Sequence, residues 1–134
     1  MEWIVNGFDK KAWDDIRSTI ANNRFIDGND FFGNFMCGAL CFDIVLRDLD
    51  VDEWALCADA YELGEDTGYG YTEKGTPYDE GDGFVLAFDV KNSFEETLKS
   101  FLDQITEHTL NDQIWLSYAN KTEPKWEDER VQQT

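Results

Sequence analysis

The chain has 134 residues, a length that suits one domain and is too short for two ordinary ones. With 42% hydrophobic and 15% aromatic residues it has the apolar material for a core, which excludes a wholly disordered chain. Twenty-nine acidic against eleven basic residues leave a net charge of -18, which excludes binding of nucleic acid or of anionic membranes through a basic surface.

Trp3 to Val5 is apolar and β-branched and predicts a short strand. From Phe8 to Arg24, Ala12, Trp13, Ile16 and Ile20 recur at helical spacing, with Asp9 placed as N-cap and Phe8 placed to staple against Trp13. Gly28, Asn29, Asp30 and Gly33 are turn chemistry, so the stretch from Asp27 to Asn34 reads as a connection. Residues 35–47 form the longest apolar stretch. Period two sets Met36, Leu40, Phe42, Ile44 and Leu46 on one face and Asp43 and Arg47 on the other, which predicts one strand with a strongly buried face.

A second strand is expected over Trp54 to Leu63, with Trp54, Leu56, Ala58 and Ala60 opposed to Cys57, Asp59 and Tyr61. The acidic stretch from Asp48 to Glu53 between them is short enough for a hairpin. Phe84 to Lys91 predicts a third strand, its apolar Phe84, Leu86, Phe88 and Val90 opposed to Asp89 and Lys91. Ser93 and Glu96 then make a capping-box pair ahead of Phe94, Leu98, Phe101, Leu102 and Ile105, a clear amphipathic helix. A short helix over Asp112 to Asn120 is expected before Pro124, and the tail from about residue 127 is polar. The sum is a single α+β domain over 1–134: an antiparallel β-meander with helices packed on one face.

Acidic residues interrupt the N-terminal apolar run early, so neither a secretory signal nor a membrane span is expected. Cys37, Cys41 and Cys57 are odd in number and sit inside apolar runs, which suits reduced core thiols in a cytoplasmic protein. Cys37 and Cys41 have three residues between them, not two, and the sole His108 is distant, so neither a zinc site nor any other metal or cofactor site is expected. Asp48, Asp50 and Asp52 match the first ligands of a calcium-binding loop, yet Glu53 stands where glycine is needed and Asp59 where a bidentate glutamate is needed. Ser93 is accounted for by capping and His108 by a last helical turn, which leaves no nucleophilic triad.

Charge is unevenly spread. Residues 43–82 carry thirteen acidic and two basic side chains, a balance of -11. Within them, the stretch from Gly64 to Gly83 holds six of the ten glycines and interleaves Tyr69, Tyr71 and Tyr78 with Glu65, Asp66, Glu73, Asp79, Glu80 and Asp82. Rigid aromatic anchors in a negative field are the composition of a contact surface for a basic protein. In composition the chain resembles the immunity proteins that neutralise bacterial toxins and, less closely, phage proteins that mimic DNA. The expectation is therefore a non-catalytic domain that occludes a basic site on a partner, with no direct nucleic acid binding, no membrane contact and an open oligomeric state. The alternative from another class is a carboxylate-based enzyme or cation-binding protein, built on Asp43, Asp59 and Asp89 projecting from one sheet face or on Asp48, Asp50 and Asp52.

Overall fold

A computed structural model describes residues 1–22, 30–50, 53–63 and 83–121. In chain order they form β1 (Ile4–Asn6), α1 (Lys10–Ala21), β2 (Asp30–Cys37), β3 (Leu40–Asp50), β4 (Glu53–Glu62), β5 (Gly83–Val85), α2 (Phe94–Asn111) and α3 (Gln113–Ala119). The strands make one antiparallel sheet in the order β1-β2-β3-β4-β5, so each strand lies beside its neighbour in sequence and the α+β meander expected from the sequence is observed.

Two glycines reshape the region read as one strand. Gly38 has φ +58°, and a Cβ there would fall 2.3 Å from the Ala119 carbonyl oxygen, so only glycine fits the turn that folds β2 back onto β3. Residues 35–47 are thus two strands. One consequence is that Met36 lies beside Cys41 and Tyr61 on the opposite face from Phe42, whereas Phe35 faces the core. Further back, Gly33 has φ +111° and lies within a register shift between Phe31 and Asn34, where its missing Cβ leaves room for the Asn6 carbonyl. That bulge lets Asp30 to Asn34 enter β2, so the turn-rich composition expected to be a connection is in part a strand.

The helices pack on the face formed by Phe42, Ile44, Leu46, Leu56, Ala58 and Ala60. Asp9 caps α1 as expected, accepting from the Ala12 amide. Phe8 and Trp13 each pack against the ring of Phe101 from α2, and the Trp13 indole N–H donates to the Asn92 carbonyl at 3.0 Å. Both halves of the Ser93–Glu96 capping box are present. Asp112 caps α3 by accepting from the amides of Ile114 and Trp115. The N-terminal segment is tied to α2 where the Trp3 indole N–H donates to Thr106 Oγ1 at 2.9 Å.

The third expected strand is cut short. Regular pairing ends at Val85, although Leu86 and Phe88 still turn inward. Beyond it the Gln104 side chain takes the place of a neighbouring strand, accepting from the Ala87 amide and donating to the Ala87 carbonyl, both at 2.8 Å. Residues 89–92 form a turn in which the Asp89 carboxylate accepts from the Lys91 amide. No helix among the described residues is long and apolar enough to cross a membrane.

Candidate functional site

In a strand, alternate residues share a face, so the register of β3 with β4 decides which of the polar positions meet. Asp43 stands opposite Asp59, Cys41 opposite Tyr61, Val45 opposite Cys57 and Arg47 opposite Ala55, all on the face away from the helices. On β2, Asn34 is the partner of Asp43 and Met36 that of Cys41. Asp43 and Asp59 are 6% and 7% exposed, so the centre of this face holds two buried carboxylates side by side. Like charges placed directly opposite repel, and burial adds a desolvation cost.

Each carboxylate meets that cost differently. Arg47 forms an ion pair with Asp59. At Asp43 the Tyr61 hydroxyl donates to Oδ1 at 3.0 Å, and the Cys41 thiol lies 3.2 Å from the Tyr61 oxygen and 3.8 Å from the same Oδ1. Burial raises the pKa of Asp43 to about 6, with Asp59 adding to the rise and the Tyr61 bond opposing it. Burial also raises Asp59, but there the Arg47 guanidinium pulls the other way. The two carboxylates therefore differ in their surroundings: Asp59 has a cation beside it that opposes the rise, whereas at Asp43 the opposing groups are the neutral Tyr61 hydroxyl and Cys41 thiol. Burial pushes the Cys41 and Cys57 thiols up, which makes both poor nucleophiles.

The triad expected on this face is incomplete. Asp43 and Asp59 are brought together, but Asp89 is exposed in the turn after β5 and does not join them, because regular pairing ends before it. Reasoning from sequence missed Arg47 and Tyr61 as the groups that hold the pair. Their signal was present, since a short hairpin connection after Asp50 puts Cys41 opposite Tyr61 once Asp43 is set opposite Asp59.

Asp48 and Asp50 lie in β3, paired with Trp54 and Glu53 of β4, so this stretch is extended ladder and not the coil of a cation loop. Among the described residues no three His, Cys, Asp or Glu side chains gather as a metal site. Cys37, Cys41 and Cys57 are free, the last two buried. His108 is in the last turn of α2, stacked on Phe84 with ring centroids 3.7 Å apart. A cleft of about 490 Å³ with a mixed lining opens between α1 and β2, bordered by Asn6, Asp9, Lys11, Asp15, Phe31 and Phe32 among others, and neither buried aspartate lines it. Tyr69, Tyr71, Tyr78, Glu65, Asp66, Asp79, Glu80 and Asp82, the expected contact residues, lie outside the described residues, as do Asp52, Pro124 and the polar tail.

The chain matches no family model, no curated protein and no solved structure with which it was compared.

Proposed function

We propose that the protein is a non-catalytic acidic binding domain that occludes a basic site on a protein partner, as an immunity or inhibitor protein does to a toxin. One observation carries this reading. Of the eleven lysines and arginines, Lys10, Lys11, Arg17, Arg47, Lys99 and Lys121 are each held in an ion pair by a carboxylate of the same chain. Such pairs contribute little to stability at a surface, but they leave carboxylates as the charge offered outward. A net charge of -18 then attracts basic partners over a Debye length of about 8 to 10 Å. The carboxylate-enzyme alternative loses Asp89, which stands exposed and apart from Asp43 and Asp59. Three free cysteines support a reducing, cytoplasmic setting.

The anchors in this reading are Tyr69, Tyr71 and Tyr78, because no arginine lies between Arg47 and Arg130 to serve instead. Affinity capture from the native host, followed by titration of the purified partner, tests it. The expected partner is a basic protein whose affinity falls at least about tenfold from low to physiological salt, with one tyrosine-to-alanine variant losing roughly 2 kcal/mol of binding. An acidic partner, or an affinity indifferent to salt, overturns the reading. A DNA-binding partner from which this chain is displaced by duplex DNA would assign it instead to the DNA mimics.

A further inference from the structure

The face of the sheet away from the helices has a feature that partner binding does not use. Asp43 and Asp59 are direct neighbours across β3 and β4, both almost wholly buried, yet among the described residues the cation beside them, Arg47, is paired with Asp59. Around Asp43 stand Cys41 from its own strand, Tyr61 and Asp59 from β4, and the neutral Asn34 opposite it on β2, with Cys57 and Arg47 flanking Asp59. None of these supplies Asp43 with a positive charge of its own. Among the described residues, two buried anions with one cation make a net negative cluster, and one proton removes the excess.

We propose that Asp43 carries a proton that latches this face of the sheet, and that losing it sets a second, unbalanced anion beside Asp59 and weakens the packing of β3 on β4. The neutral acid still accepts the Tyr61 hydroxyl bond, so protonation costs the cluster no contact. Ionisation, by contrast, places like charges opposite each other on paired strands.

The direction of the pH dependence follows from the raised value. Asp43 binds its proton more tightly folded, near pH 6, than at its ordinary value of 3.8, so its contribution is complete below the ordinary value and is lost as pH rises through 6. Between pH 5 and pH 8 this one residue lowers the folding equilibrium constant by about tenfold.

The experiment compares urea denaturation of the wild-type chain, Asp43→Asn and Asp103→Asn at pH 5 and pH 8. Asparagine imitates the protonated acid, so the ratio of the wild-type folding constant to that of Asp43→Asn should fall about tenfold across this range. Asp103→Asn removes an exposed charge, which controls for relief of overall repulsion, and should keep a constant ratio to wild type. Parallel profiles for wild type and Asp43→Asn overturn the proposal, as does an equal change of ratio in Asp103→Asn. Should Asp43→Asn fail to fold, carboxyl-carbon NMR of the wild-type chain labelled in aspartate decides. A through-bond-assigned Asp43 resonance titrating near pH 6 supports the latch, and one titrating with the exposed aspartates overturns it.

Discussion

Thr97 shows how strictly the core accounts for polar atoms, because its hydroxyl is the exception. It is 1% exposed in the second turn of α2, and its Oγ1 is the buried side-chain oxygen without a partner among the described residues. An unpaired buried hydroxyl costs about 1 to 3 kcal/mol, whereas a methyl of the same shape costs nothing to bury. Thr97→Val should therefore raise the melting temperature, by a gain of about 1 kcal/mol in calorimetry or thermal denaturation, and Thr97→Ser should not. Gly38 is the opposite case, a position where a side chain is excluded. Gly38→Ala forces a Cβ against the Ala119 carbonyl in a left-handed backbone conformation and should destabilise the fold by at least about 1 kcal/mol in urea denaturation.

Elements whose signals are local were legible in the sequence, and those set by remote contacts were not. The Asp9 cap and the Ser93–Glu96 box sit within a few residues of the backbone groups that they satisfy, and both α1 and α2 begin where those residues predict. The alternation over 54–62 likewise survives intact, because β3 and β4 are joined by a two-residue connection that fixes their register. The division of 35–47 depended on Gly38 accommodating the end of α3, some eighty residues away, so apolar periodicity ran straight through it. For the same reason half of the candidate site was visible: Asp43 and Asp59 follow from the hairpin, but the exclusion of Asp89 depends on how the chain leaves β5. The Gln104 side chain secures that exit. Gln104→Ala removes both of its bonds to Ala87, and should cost about 1 to 2 kcal/mol of stability and speed hydrogen exchange at the Ala87 amide. Gln104→Glu keeps the acceptor and loses the donor, so it should recover part of the protection.

At the scale of the whole molecule the balance of -18 acts on the fold as well as on partners. Like charges repel more in the compact state than in the expanded chain, and salt screens that repulsion. Melting temperature should therefore rise between about 10 mM and about 300 mM sodium chloride, an effect read by circular dichroism, while sucrose at equal osmolarity should not reproduce the ionic part of the gain. The bond between Trp3 and Thr106 spans 103 residues, so it can form only after most of α2 has been synthesised. All five strands and α1 lie within the first 92 residues, before α2 begins, whereas Phe101 and Ile105, which complete the core, come afterwards. A nascent chain thus carries all the described strands and α1 before it carries the two C-terminal helices that complete the cover of the sheet's aromatic side. A chain that stops before α2 therefore leaves Phe42, Ile44, Leu46 and Leu56 without Phe101 and Ile105 over them, and exposed apolar surface of that kind makes an aggregation-prone fragment, not a smaller domain.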